Sequence, residues 1–279
     1  MNAVLMMLGV TVCYTICSLS DKHAIVGAKL NGDEFTFLMC SSMSGFLALI
    51  LPFQNVFVKL DIRSIIAVVL IALCKMFEFQ MSARVLKELS AFELKAWLGL
   101  SLFASYFTDI CYGERLAPLP IVFICLSAVG LVLIAHSGAS KSINYKTIAL
   151  PLFLYIMSKY SYGLVVKAFT PYISSNLALF AAFLIISLIL LTKIDLPRLF
   201  REKRSGVLKV ALVRIPNTAG MLLENAVIAV SLSDYAFIQP MILAVLFFIG
   251  LLRREKSSPT NILGGIICVI GIICFQIFR

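Results

Sequence analysis

An internal repeat with an offset of 141 residues constrains the fold of this chain more than any other feature of its sequence. The similarity is clearest where residues 113–136 align without a gap with the segment that begins near residue 254. Identical residues that align at this offset include Ser90 with Ser231, Glu114 with Glu255, Pro118 with Pro259, and Gly130 with Gly271. The chain is therefore predicted to contain two copies of one unit, residues 1–140 and 141–279.

The composition indicates the solvent in which this unit folds. Apolar residues make up 61% of the chain and charged residues 14%, and the mean hydropathy is +1.01. A single aqueous core cannot bury so large an apolar fraction, so an integral membrane protein is predicted. A helix crosses the hydrocarbon of a bilayer with about 20 residues. Ten stretches of about that length are predicted as spans 1 to 10, at residues 1–20, 35–58, 65–83, 96–112, 116–140, 147–166, 168–192, 210–230, 235–252 and 257–278.

The distribution of the ten spans predicts how the two copies are arranged. Each copy contains five spans, and an odd number of crossings turns the second copy upside down relative to the first. The predicted fold class is therefore an all-α integral membrane protein with ten transmembrane helices in a 5+5 inverted repeat. The first span is interpreted as a retained helix, because no basic residue precedes it and no small-residue cleavage site follows it.

The net charge of +10 is interpreted as a topology signal, so no nucleic-acid partner is predicted. The loops after spans 1, 3, 5, 7 and 9 hold 16 Lys and Arg residues, and the opposite side holds 5. The positive-inside rule then places both termini outside the cytoplasm.

Span 3 carries Lys75 and Glu78 three residues apart, on one face near its middle. Ionisable side chains inside a membrane cost about 2.5–3.5 kcal/mol each on insertion scales, and they indicate a functional cavity. The alternative is an ion pair that neutralises itself and joins span 3 to its neighbours.

Span 8, the counterpart of span 3, carries Arg214, Asn217 and Glu224. Asn217 and Glu224 are seven residues apart and lie on one stripe of a helix. Pro216 lacks a backbone N–H, so it is predicted to break the span and to free backbone groups for binding. The alternative for Arg214 is that its guanidinium reaches the nearby membrane interface.

Aromatic, basic and amide side chains in other spans complete the candidate substrate-binding set. The spacing of Tyr155, Lys159 and Tyr162 places them on one face of span 6. The remaining candidates are Tyr14 in span 1, Trp97 in span 4 and Gln239 in span 9. An interfacial aromatic belt would also explain Tyr155, and plain helix packing would explain Gln239. Asp109, near the end of span 4, is interpreted as a surface residue.

The sequence holds no P-loop, no HExxH motif, no nucleophile elbow and no Gly-rich dinucleotide turn. Enzymatic activity, cofactors and ATP-driven transport are therefore not expected. All eight cysteines fall within predicted spans, where Cys behaves as a small apolar residue, so disulfides are not expected either. Cys13 and Cys17 have helical spacing without a His or carboxylate partner, so no metal site is predicted.

The order and repetition of these motifs resemble the drug/metabolite transporter superfamily, most closely its EamA-type ten-helix branch. The resemblance covers essentially the whole chain. It is carried by Gly113-Glu114-Arg115 with Pro118 and Gly130, by Glu255 with Pro259 and Gly271, and by Lys22 and Lys167 at the ends of spans 1 and 6.

The resemblance implies a basket of ten helices around a central cavity lined by spans 1, 3, 4, 6, 8 and 9, with alternating access by rocking of the halves. It also implies that Glu114 and Glu255 are turn residues and not substrate ligands. Members of the superfamily are often described with both termini in the cytoplasm, which is the opposite of the orientation that the loop charges predict.

The predicted function is secondary transport of a small polar organic metabolite by alternating access, coupled to protons or to exchange. The candidate lining mixes cations with carboxylates and aromatics, which favours zwitterionic or anionic solutes because like charges disfavour the binding of cations. Glu78 and Glu224 are the candidates for proton coupling. Two alternatives stay open: a multidrug or organic-cation exporter, and a non-transporting scaffold or assembly partner whose buried charges pair with one another.

The expected partners are a small-molecule substrate and the lipid bilayer, and a homodimer stays open. The expected location is the bacterial inner (cytoplasmic) membrane, as a multi-pass protein.

Overall fold

The computed structural model of the protein describes residues 3–27, 30–89, 91–99, 101–113, 118–137, 145–252 and 258–278. Nearly all of these residues are α-helical, and within them the only β-structure is one isolated bridge. Helices satisfy their own backbone hydrogen bonds, as the interior of a membrane demands. The helices are α1 (Ala3–Gly27), α2 (Gly32–Ile50), α3 (Ile62–Glu88), α4 (Ala91–Leu98), α5 (Ser101–Cys111), α6 (Pro118–Ser137), α7 (Tyr145–Phe169), α8 (Ser175–Leu191), α9 (Leu196–Glu202), α10 (Arg204–Val230), α11 (Leu232–Leu252) and α12 (Pro259–Phe278). The predicted turn residues Glu114 and Glu255 and the side chain of Lys22 lie outside the described residues.

Several helices are long and apolar enough to cross a membrane. Five qualify by length and composition: Ala3–Asp21, Gly32–Phe53, Thr147–Phe169, Arg204–Val230 and Leu232–Gly250. A sixth is added if α8 and α9, which meet at an angle of 95°, count as one span. In its described residues the chain is helical, and these five or six candidate spans indicate a multi-pass membrane protein, as its composition predicts.

Helix α1 illustrates how one helix faces both the lipid and the interior of the bundle. Val12 and Ile16 are exposed, whereas Val10, Tyr14 and Cys17 are buried. In a membrane the exposed apolar stripe faces lipid, so the same helix can direct Tyr14 toward polar partners inside.

Two local predictions are wrong. Span 4 is not one helix, because α4 ends at Leu98 next to Gly99, a residue of low helix propensity, and α5 starts at Ser101. Pro216 does not break span 8, because α10 continues through it from Arg204 to Val230. The Thr218 hydroxyl donates a hydrogen bond to the carbonyl of Arg214 at 2.8 Å, within the turn that contains the proline.

The helices pack in pairs that join the first half of the chain to the second. Helix α1 packs along α10, α3 along α7, α2 against α8, and α6 along α12. The main apolar core lies among the first three of these pairs, together with α4 and α11. A smaller core formed by α5, α6, α11 and α12 contains Tyr106, Phe237 and Phe275.

Helices α6 and α12 cross with almost no space between their backbones. A Cβ atom added to Gly130 would lie 2.6 Å from the backbone nitrogen of Cys268. A Cβ atom added to Gly271 would lie 2.9 Å from the backbone nitrogen of Ser127. Both distances are too short for any side chain, so this crossing requires glycine on each helix.

Hydrogen bonds between the halves close one end of the bundle, which we call the first end. The segment before α3 pairs with the turn between α7 and α8: the backbone N–H of Lys59 donates to the carbonyl of Tyr172 at 2.8 Å, and that of Ser174 donates to the carbonyl of Phe57 at 3.0 Å. Arg63 also donates a hydrogen bond to the Tyr172 hydroxyl.

The opposite, second end contains the start of α2 and the short helix α9. Asn31 and Glu34 form a capping box at the start of α2. Glu34 also forms a salt bridge with Lys203, at 2.7 Å, between α9 and α10. This contact joins the two halves at the second end through side chains instead of backbone.

Candidate functional site

A cavity of about 80 Å³ lies among α1, α2, α3, α4, α7 and α10. Glu78, Ser82 and Leu86 line it on successive turns of α3, so the cavity extends from the middle of the bundle toward the second end. Five of the predicted site residues line it: Tyr14, Glu78, Tyr155, Lys159 and Asn217.

Four ionisable side chains at this cavity form one alternating series of ion pairs, which we call the charge network. The Lys75 ammonium lies 2.8 Å from Glu78, and the Lys159 ammonium lies 3.4 Å from Glu78 and 2.6 Å from Glu224. The Tyr14 hydroxyl donates a hydrogen bond to the second oxygen of Glu224. All four charges are almost inaccessible to solvent, and two lysines balance two carboxylates. The self-paired Lys75–Glu78 alternative is therefore only half of the observed arrangement, because Glu78 is shared with Lys159.

Aromatic rings surround the two lysines of the charge network. The Lys75 ammonium lies 3.6 Å from the centroid of the Tyr162 ring. The Lys159 ammonium lies 5.4 Å from the ring centroid of Tyr14 and 5.5 Å from that of Tyr235. Desolvated contacts of this kind favour a charged lysine, so they help to hold both ammonium groups inside the membrane.

Arg214 is also buried, and it does not reach the membrane interface as the alternative supposed. Its guanidinium bonds to the carboxylate of Asp21, the sulfur of Met39 and the carbonyl of Val210. Asp21 and Met39 line the cavity, so Arg214 supports the wall from behind. Asn217, one turn further along α10, contributes directly to the wall.

Lys95 contacts Gln239, which lies behind the wall of the same cavity. Lys95, on the short helix α4, lines the cavity and donates a hydrogen bond to the amide oxygen of Gln239 at 3.1 Å. Gln239 lies next to Pro240 in α11 and is 1% exposed. The side chain of Gln239, in the second half of the chain, therefore lies beside Lys95, in the first half.

The remaining predicted residues lie behind or beside the wall. Tyr162 donates a hydrogen bond to Asn225 at 2.5 Å, and Asn225 donates one to Asn176 at 2.8 Å, away from the cavity. Trp97 is half-buried and packs at the edge of the main core. Six predicted residues are absent from the cavity wall: Lys75, Trp97, Tyr162, Arg214, Glu224 and Gln239.

Two charged wall residues, Asp21 and Lys95, are missing from the predicted set. Their sequence positions indicate helix ends, where charge is ordinary. In the structure α1 continues to Gly27 and α4 begins at Ala91, so both side chains lie within helices. Asp21 directly follows predicted span 1 and Lys95 directly precedes predicted span 4, so extending each predicted helix by one turn would have included them.

Asp109 is fully buried near the first end, not at the membrane surface. Its carboxylate accepts hydrogen bonds from the Ser231 hydroxyl, from the backbone N–H groups of Leu232 and Ser233, and from the Ser233 hydroxyl, at 2.6–3.1 Å. It also pairs with Lys167 at 2.6 Å. The carboxylate of α5 therefore caps the N-terminus of α11 and ties it to the end of α7.

Replacing Asp109 with asparagine is expected to lower the free energy of unfolding by about 3 kcal/mol, because hydrogen bonds to a charged group contribute about 1.5–3 kcal/mol each. The change removes the charge that faces Lys167 and turns one acceptor oxygen into a donor. Thermal unfolding in detergent measures the effect. Asp61→Asn is the matched control, since Asp61 caps α3 at an exposed position. An equal, small loss in both variants would contradict the structural role of Asp109.

Among the residues that the structure describes, no group of three or more His, Cys, Asp or Glu side chains is placed to hold a metal ion. No protein-family model matches the chain, and no curated protein matches it at a significant level of similarity. Similarity to known proteins therefore assigns this chain no function.

Proposed function

We propose that the chain is a secondary transporter for a small polar organic metabolite, zwitterionic or anionic, and that it works by alternating access. The observation that carries this proposal is a cavity inside a membrane bundle whose wall holds charged side chains from both halves of the chain. Intramembrane charges that face a cavity indicate a pathway for a polar solute. The motif resemblance to the drug/metabolite transporter superfamily supports the same function.

The contacts between α6 and α12 support an inverted repeat. The offset of 141 residues maps Gly130 onto Gly271 and Ser127 onto Cys268. The close approach of Gly130 to Cys268 is therefore repeated by an equivalent contact, in which Gly271 approaches Ser127. The residue order is reversed between the two helices, so they are antiparallel. A two-fold axis that relates antiparallel helices is perpendicular to them and lies in the membrane plane, as in inverted-repeat carriers.

The pairing of the long helices supports the same symmetry. In a 5+5 repeat α1 corresponds to α7 and α3 corresponds to α10. The contact of α1 with α10 is then the counterpart of the contact of α7 with α3, and both occur. The ten-span arrangement and the division into residues 1–140 and 141–279 are part of this proposal.

The shape of the cavity fits one state of an alternating-access cycle. Binding sites for small molecules usually enclose about 300–1,000 Å³, and this cavity has about 80 Å³. Backbone hydrogen bonds close the first end, and the cavity extends toward the second end. The loops at the second end hold most of the Lys and Arg residues, so the positive-inside rule makes that end cytoplasmic. We therefore assign this conformation to a narrow, cytoplasm-facing state in a bacterial inner membrane.

A second candidate function is a membrane scaffold without transport. The charge network favours it, because the two lysines and two carboxylates neutralise one another and need no solute. The two candidates differ in whether water and solutes reach the cavity.

Cys17 distinguishes the two candidates, since it is a cysteine that lines the cavity. A small, charged, membrane-impermeant thiol reagent applied from the cytoplasmic side of inverted vesicles is expected to modify Cys17 in a transporter. Cys40 is the control, because it is fully buried in α2 and does not line the cavity. Mass spectrometry of the cysteine-containing peptides measures the labelling of both sites, and the experiment uses the chain without any substitution. Protection of both cysteines alike would favour the scaffold.

A further inference from the structure

We infer that Lys95 and Gln239 bind a carboxylate group, so that the solute carries a single carboxylate. This inference rests on the transporter function proposed above and names the chemical class of its substrate. It comes from the charge balance of the cavity wall and from one buried hydrogen-bond donor.

The wall of the cavity and the side chains that touch it hold one excess positive charge. Among the described residues these cations are Lys75, Lys95, Lys159 and Arg214, and the anions are Asp21, Glu78 and Glu224. Three of the cations contact a carboxylate within 4 Å. Within the described part of the chain Lys95 forms no salt bridge, and its ammonium contacts only the neutral amide of Gln239, at 3.1 Å.

Gln239, which contacts Lys95 from behind the cavity wall, supplies a second donor next to it. Its oxygen must face Lys95, because an ammonium group can only donate, and this fixes the orientation of the amide. The amide nitrogen is buried and has no hydrogen-bond partner among the described residues. Buried donors are rarely left unsatisfied, so an unpaired one next to an unbalanced cation points to an acceptor that arrives with the solute.

A carboxylate fits these two groups better than other charged groups do. It brings one negative charge to one excess positive charge, and its two oxygens can accept from the ammonium and from the amide N–H. A phosphate dianion would leave a surplus negative charge in a low-dielectric cavity, and an organic cation would add to the existing surplus. Leu94 and Phe79, which line the same cavity, provide apolar contact for the rest of a small solute.

The test measures the unfolding temperature of the purified full chain in the presence of amino acids and short-chain monocarboxylates. Each compound is compared with the corresponding neutral amide, in which the carboxylate is replaced. Phosphate esters and quaternary amines at equal ionic strength form the other arms. A carboxylate at roughly 100 times its Kd is expected to raise the unfolding temperature by about 5 °C, whereas its amide does not.

Two variants separate binding from folding. Lys95→Met is expected to unfold at a higher temperature than the original chain when no solute is present, since it removes a partly buried charge that has no carboxylate partner among the described residues. It is also expected to lose the carboxylate shift. Gln239→Glu supplies a carboxylate in place and is expected to lose the shift while the chain stays folded. Lys87→Met, which changes an exposed lysine at the end of α3, keeps the shift.

Each other outcome overturns part of the reasoning. A carboxylate shift that survives in Lys95→Met, or a Lys95→Met chain that unfolds at a lower temperature, rejects the anion site and leaves the transporter proposal standing. Shifts confined to phosphate esters or quaternary amines reject the single carboxylate in the same way. No shift in any arm rejects the anion site, and labelling of Cys17 then decides independently whether the cavity is accessible.

Discussion

Glu224→Gln is expected to lower the free energy of unfolding by about 3–5 kcal/mol, the usual cost of removing one partner from a buried ion pair. Glu224 has no exposed surface, and its carboxylate contacts the Lys159 ammonium at 2.6 Å and the Tyr14 hydroxyl. After the change, Lys159 has only Glu78 as a partner, at 3.4 Å, and Glu78 already pairs with Lys75. Two buried ammonium groups would then share one carboxylate.

A second substitution tests whether Glu224→Gln lowers the free energy of unfolding because it unbalances the buried charges or because it disturbs the packing of the side chain. Lys159→Met combined with Glu224→Gln removes one charge of each sign and leaves the neutral Lys75–Glu78 pair. The double variant is expected to be more stable than Glu224→Gln alone, with a coupling free energy of about 1–3 kcal/mol. Unfolding of the purified chain in mixed detergent measures all variants under one condition.

Glu88→Gln is the matched control, because it makes the same chemical change at an exposed position at the end of α3. Its effect is expected to stay within about 0.5 kcal/mol. If Glu224→Gln proved as mild as Glu88→Gln, the charge network would not hold the helices together as its geometry indicates.

The all-helical membrane character of the chain is predictable because it depends on local sequence. Apolar runs of sufficient length predict helices wherever they occur, and the span at 210–230 corresponds to the greater part of α10 (Arg204–Val230). Local exceptions are less predictable. Pro216 is accommodated within α10 because one missing N–H does not end a helix that is packed on several sides, whereas Gly99 does end α4.

The partners of the buried charges are not predictable from spacing, because they come from distant parts of the chain. Tyr14 and Glu224 are separated by 210 residues, and Lys95 and Gln239 by 144. Periodicity identified most of these side chains as facing inward, but it gives no information about which helix packs against which. The imbalance that singles out Lys95 therefore appears only after the pairs are known.

Alanine at Gly130 or Gly271 is expected to lower the free energy of unfolding by about 1–3 kcal/mol each, although alanine favours helix formation over glycine. The added Cβ atoms would meet backbone atoms of the opposite helix, at 2.6 Å for Gly130 and 2.9 Å for Gly271. Backbone atoms cannot rotate away as a flexible side chain can, so α6 and α12 must separate. Thermal unfolding of each variant measures the cost.

Gly45→Ala is the matched control, since a Cβ atom at Gly45 in α2 would meet no atom within 4 Å. That variant is expected to be neutral or stabilised by up to about 1 kcal/mol.

The internal repeat allows a further prediction, because Gly130 in α6 and Gly271 in α12 occupy equivalent positions where these two helices cross. Their alanine variants should lose similar amounts, and the double variant should lose less than the sum, since either change alone already separates the helices. A large loss at one glycine and none at the other would argue against a two-fold relation between α6 and α12.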